Sequence, residues 1–136
     1  MMRSTLIALA VVSLLAGPVF AGDVQNAPPG APYKKVSTLV KLPDFMPGLG
    51  TLYVDPATMP QGPYLAYDHQ GKLVSTVYII PLKDLAAHKK WDDLKASGGP
   101  VVKVDIYYNA GHPGVQMPHY HIILWHAEDG DDRVAK

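Results

Sequence analysis

The run from Lys72 to Ile80 limits the fold of this chain more than any other stretch. Val74, Thr76, Val77, Tyr78, Ile79 and Ile80 are β-branched or aromatic, and they leave both faces of an extended chain largely apolar. Such side chains suit a pleated strand. A strand that is apolar on both faces needs neighbours and cover on both sides, so this one is expected at the centre of a sheet. Just upstream, Tyr64-Leu65-Ala66-Tyr67 runs into Asp68-His69-Gln70-Gly71. Asp at the first position of a turn and Gly at the last is the type I preference. Tyr64 to Ile80 therefore reads as a hairpin.

Shorter strands are expected around it. Lys35 to Leu42 alternates weakly, Gly50 to Val54 is a short apolar run, and Asp55 to Pro63 is a proline-punctuated loop. Val101 to Tyr108 alternates sharply, with Val102, Val104, Ile106 and Tyr108 on one face. The helical candidate is Pro81 to Ser97, opened by a proline and stopped by Gly98-Gly99-Pro100. Its apolar stripe is incomplete, which suits a cover on a sheet. The expected class is mainly β: a small antiparallel sandwich or open barrel with one covering helix.

The 136 residues carry no cysteine, and Lys plus Arg balance Asp plus Glu. Thiol catalysis, thiolate metal sites and disulfides are thereby excluded. No basic patch is present to hold nucleic acid. Residues 1–21 have the form of a signal peptide: a basic start at Arg3, an apolar run from Leu6 to Leu15, and small residues before a cut after Ala21. The run is shorter than a membrane span. Residues 22–34 read as a flexible leader, 35–127 as the β domain and 128–136 as an acidic, solvated tail. The expected location is periplasmic or secreted, with no membrane attachment after cleavage.

The chemistry-bearing stretch is Met117 to His126, which holds three of the six histidines. On a strand, Met117, His119, His121, Ile123 and Trp125 share one face, and Tyr120, Ile122 and Leu124 share the other. The second face is continuously apolar and is the expected core face. The preceding strand joins through a short loop, so the two should pair antiparallel. Matching core faces sets Ile106 opposite Tyr120 and Val104 opposite Ile122. Tyr107 then lies opposite His119, and Asp105 opposite His121. Two histidines at i and i+2, with a carboxylate across the ladder, can hold one divalent ion. Met117 offers a thioether on the same face, and His112 in the intervening loop is a further candidate. Copper or zinc suits this set of His119, His121, Asp105, Met117 and His112. Ordinary strand histidines bonded to Tyr107 and Asp105 would leave the same trace in the sequence. His126 points to the other face, and His69 and His88 sit in a turn and on a helix surface.

Catalytic motifs are wanting. No Gly-x-Ser-x-Gly elbow or phosphate-cradling glycine motif occurs, and the one glutamate, Glu128, is in the tail. A cupin-type site needs a glutamate shortly after its His-x-His, where this chain has Ile122 to Trp125. The sequence does not call for an enzyme. Two readings follow: an exported domain that binds copper or zinc, or a domain that binds a protein partner or small ligand without metal. A metal-dependent enzyme would need an enclosed pocket and an open coordination position.

Three segments occur in order: Gly48 to Pro56, Gly62 to Asp68, and Pro118-His119-Tyr120-His121. Together they resemble an uncharacterised family of secreted bacterial β-domains. The resemblance implies export and a β fold. It also marks departures, because Leu52, His121 and Ile123 stand where that family's pattern has His, Asp and His.

Overall fold

The structure, a computed structural model, describes residues 23–136. The expected signal peptide lies outside the described residues. Among the described residues there are six strands: β1 (Lys34–Lys35), β2 (Thr51–Val54), β3 (Tyr64–Tyr67), β4 (Leu73–Pro81), β5 (Lys103–Asn109) and β6 (His119–Trp125). They form one antiparallel sheet in the order β1-β2-β3-β4-β6-β5. Two short helices, α1 (Leu82–Ala86) and α2 (Gly130–Arg133), accompany it. The protein is mainly β, as the patterning predicts.

Strand β4 is buried at every position and lies between β3 and β6. The hairpin turn before it is held by one carboxylate. Asp68 Oδ1 accepts from the backbone N–H of Gln70 and of Lys72, both at 2.9 Å, while Gly71 N donates to Asp68 O. Gly71 has φ +72, which its missing Cβ permits.

The main core lies on one face of the sheet. Leu52, Val54, Tyr64, Val77, Ile79, Ile123 and Trp125 form it. Irregular chain covers it, through Val36 and the partly buried Val40, Leu42, Met46 and Leu49 on one side, and through Val115 and Val134 on others. The opposite face carries a smaller cluster of Tyr53, Leu65, Tyr67 and Leu73. Residues from the expected leader pack there: Val24, Ala27 and Tyr33 touch this cluster, Tyr67 Oη donates to Val24 O at 2.7 Å, and Ala27 N donates to Gly71 O at 2.8 Å. The tail is likewise tied down. Val134 is fully buried and its carbonyl accepts from Gly48 N, while Arg133 pairs with Asp68.

Three local expectations change. The strand expected over Lys35 to Leu42 ends at Lys35, and a 3-10 turn, Val36–Thr38, follows. Thr38 Oγ1 bonds Lys35 O at 2.6 Å, a local bond that competes with a ladder. The expected helix stops at Ala86, and His88 and Asp93 take positive φ. Side chains of β4 hold the following segment instead: Tyr78 Oη donates to Lys95 O at 2.7 Å, and Thr76 Oγ1 meets both N and O of Ser97 at 3.1 Å. Those bonds engage backbone groups that a helix would have used internally.

The third change decides the site. Strands β5 and β6 do pair, but slipped by two residues from the expected register and with the faces reversed. Tyr108 lies opposite Tyr120, Ile106 opposite Ile122 and Val104 opposite Leu124. This apolar face is the outer one, with Val104, Ile106 and Tyr108 half or more exposed. The core face of β6 is His119, His121, Ile123 and Trp125, because Ile79 and Val77 of β4 lie opposite His121 and Ile123.

Candidate metal centre

Inverting β6 carries its two histidines to the end of the core face. His119 is fully buried opposite Pro81 on one side and Asn109 on the other. His121, partly buried, lies opposite Ile79 and Tyr107. The third histidine arrives from the β5–β6 loop. His112 and Val115 exchange backbone bonds at 3.0 Å in each direction, closing a turn over His112-Pro113-Gly114-Val115. Pro and Gly at the central positions, with Gly114 at φ +90, meet the demands of a type II turn. Gly114 also packs so closely on Val40 that a Cβ there would come 3.0 Å from it.

The three rings meet at their Nε2 atoms. His119 Nε2 and His121 Nε2 are 3.0 Å apart, His112 Nε2 and His121 Nε2 3.4 Å, and one ligand atom from each ring lies within 4.8 Å of the others. Metal–nitrogen bonds of about 2.0–2.1 Å place two bound nitrogens about 3.0 Å apart at a right angle and about 3.3 Å at the tetrahedral angle. The 3.0 Å contact matches the first of these spacings, and the 3.4 Å contact matches the second at the longer bond length. The cluster could hold a metal ion.

Backbone carbonyls set the tautomers. A carbonyl can only accept, so His119 Nδ1 donates to Met117 O at 2.7 Å and His112 Nδ1 donates to Pro113 O at 2.9 Å. In each neutral ring the lone pair is left on Nε2, aimed at the meeting point. Outer hydrogen bonds of this kind orient metal-binding histidines. Burial, then the neighbouring His119 and His112, push the His121 pKa down to about 4. His121 is therefore neutral at ordinary pH, and in the metal-free protein its Nε2–H donates to the Nε2 lone pair of His119, a proton that a metal ion would displace to Nδ1.

That shift has a stability consequence for the metal-free protein. The folded value lies below the unfolded one of 6.5. Above pH 6.5 both states are neutral at this residue and stability should not vary on its account. As pH falls from 6.5 toward 4, the unfolded chain binds the proton that the folded one refuses, and stability should drop by on the order of 2 kcal/mol after allowance for partial exposure. Urea midpoints across this range, with and without His121→Ala, measure it; the variant should show the smaller slope.

Asp105 is not part of this cluster. In the observed register it faces Ile123, and its carboxylate accepts from Trp125 Nε1 at 2.8 Å. Met117 packs against the core and serves the site through its carbonyl. His126 lies apart, with Nε2 bonded to Thr76 Oγ1 at 2.8 Å and Nδ1 to Pro100 O at 2.9 Å. His69 stacks on Phe45. The carbonyls of Met117 and Pro113 leave no side-chain signal in the sequence. The Pro113-Gly114 pair was the one available clue that His112 is held and not free to swing.

The loop also depends on Gly111, at φ +133. A Cβ there would sit 2.5 Å from Gln116 O. Gly111→Ala should therefore shift the loop and His112 with it. We expect metal affinity to fall about tenfold, a change of the size seen when groups that orient ligands are lost. Calorimetric titration measures the affinity, and unchanged far-ultraviolet circular dichroism would show that the sheet remains.

Beside the histidines an apolar cavity of about 260 Å³ opens, with His112 and His121 in its wall. Among the described residues no helix is long and apolar enough to cross a membrane. No family model matches the chain, and no curated protein matches it. A solved structure does: the crystal structure of hypothetical protein TTHB210 from Thermus thermophilus. It shares 44% identity and a TM-score of 0.59, over 69% of this chain and 93% of that one.

Proposed function

We infer that the chain, which belongs to the same family as TTHB210, is a metal-binding domain that holds zinc or copper(II) on His112, His119 and His121. One observation carries this reading: three Nε2 atoms converge, and two of the rings are locked by backbone carbonyls with their lone pairs pointing inward. Three imidazoles suit zinc with an open position, and they also suit copper(II), which such ligands bind more tightly. Magnesium and calcium prefer oxygen ligands and are disfavoured here.

Titration of the metal-free protein with zinc and with copper(II) tests the reading. One equivalent should bind, and acid should release it as protons compete for the rings. The alternative, a domain that binds its partner without metal, requires the opposite: no uptake of either ion by the intact cluster. The signal-like residues 1–21 support an exported setting. The mass of the protein taken from the periplasm or medium should then correspond to a chain beginning at Gly22.

A further inference from the structure

The cavity beside the histidines is part of what the site recognises. We propose that the metal-loaded protein binds a small monocarboxylate with an apolar tail, its carboxylate completing the coordination and its tail filling the cavity. The proposal rests on the metal reading above.

Charge is the first argument. Three neutral imidazoles leave a divalent ion with its full charge, and no Asp or Glu belongs to the cluster. Asp105, the nearest candidate from the sequence, is engaged by Trp125. A partly buried ion of charge +2 is costly without a compensating anion, so the fourth ligand is favoured to be one. Zinc accepts carboxylate oxygen readily.

The cavity wall supplies the second argument. Val36, Leu52, Val77, Ile79 and Val115 line it, together with methionine side chains that adapt to ligand shape. Polar side chains gather where the β5–β6 hairpin meets it, at Asn109, His112 and His121. Asn109 spends its carbonyl on Gly111 N at 2.8 Å. A ligand for such a space is polar at one end and apolar along the rest.

Size is the third. A dry apolar cavity of about 150 Å³ holds benzene. At roughly 30 Å³ per heavy atom, the volume of a water in the liquid, the present 260 Å³ takes about eight or nine. Hexanoate, with a carboxylate and a five-carbon tail, is of that size. Acetate has the head without the tail, and 1-hexanol has the tail without the charge.

The test uses the full chain loaded with whichever of zinc or copper(II) it takes up, titrated calorimetrically with these three probes. Hexanoate should bind at least tenfold more tightly than acetate and at least tenfold more tightly than 1-hexanol, and removal of the metal should cost it at least tenfold. Leu42→Trp, which brings an indole into a partly buried position of the wall, should lose hexanoate while keeping metal and acetate affinity. Equal affinity for hexanoate and acetate in the wild-type protein would overturn the proposal while leaving the metal site intact. So would hexanoate binding that is unchanged on removing the metal. A protein that takes up neither ion overturns both readings, and this is seen before any carboxylate is added.

Discussion

His121→Ala is expected to weaken metal binding by about a hundredfold or more while leaving a folded protein. Zinc bound at a four-ligand structural site contributes about 10–16 kcal/mol, or roughly 3 kcal/mol per ligand, which corresponds to about a hundredfold in affinity. His121 is the most informative of the three because both close nitrogen contacts, at 3.0 and 3.4 Å, are made to its Nε2. It is only partly buried, so its loss should cost the metal-free fold little. His119→Ala should abolish binding at a structural cost as well. That ring is fully buried, and its removal leaves the Met117 carbonyl without its donor, a loss of about 1–3 kcal/mol before any cavity is counted. Titration with zinc and copper(II), run beside urea unfolding of the metal-free variants, separates the two effects. Wild-type affinity in His121→Ala would remove the triad from the metal reading.

Asp68→Ala should destabilise the protein by about 3 kcal/mol without touching metal affinity. Asp68 is 3% exposed, and four donors converge on its carboxylate: the N–H groups of Gln70 and Lys72, and Nε and Nη2 of Arg133. Burial opposes its charge, yet the Lys72 N–H, the Arg133 guanidinium and the Gln70 N–H outweigh that and hold the carboxyl below its usual value. Removing one partner of a buried, hydrogen-bonded pair typically costs 3–5 kcal/mol; Arg133 keeps some access to water, which favours the lower end. The same carboxylate contributes its stability above the ordinary carboxylate range and loses it as pH falls through the lowered folded value. Asp68 lies at the start of β4 and the histidines at the far end, about 25 Å along a strand of this length. A lowered urea midpoint with unchanged metal affinity is the expected pair of results; a change in both would mean that the two ends of β4 are coupled.

Much of the sheet was legible because turn chemistry and side-chain type agreed. Asp68 and Gly71 mark the β3–β4 turn, and the β-branched run after it could only be a covered strand. The β5–β6 pairing was legible from the short connection. Which face turned inward was not. Alternation separates two faces but does not orient them, and Val104, Ile106 and Tyr108 looked more like a core than His119 and His121 did. The decision belongs to distant chain. Residues 36–49, Val115 and Val134 cover the histidine face, while on the other face Val24, Ala27 and Tyr33 cover β2, β3 and the start of β4, and the segment held by Thr76 and Tyr78 covers the rest of β4. On that face Tyr120, Ile122 and Leu124 of β6 are half-buried, and Val104, Ile106 and Tyr108 of the edge strand β5 are left exposed. The helix expected to Ser97 failed for a related reason, since Tyr78 and Thr76 capture backbone groups across the sheet. The candidate ligands on β6 could be read from spacing. Asp105 could not, because a two-residue slip keeps the face and changes the partner.

The three histidines are not held alike. His119 and His121 belong to a strand flanked on both sides, whereas His112 stands on a loop turn outside the ladder. A metal ion could leave only as fast as that loop lifts His112 away, so residence time would follow the opening rate of the turn more than the strength of any one bond. Amide hydrogen exchange at residues 111–116 would then slow on metal loading while β6 stayed protected throughout, and the loop would act as the latch of a site whose other two ligands never move.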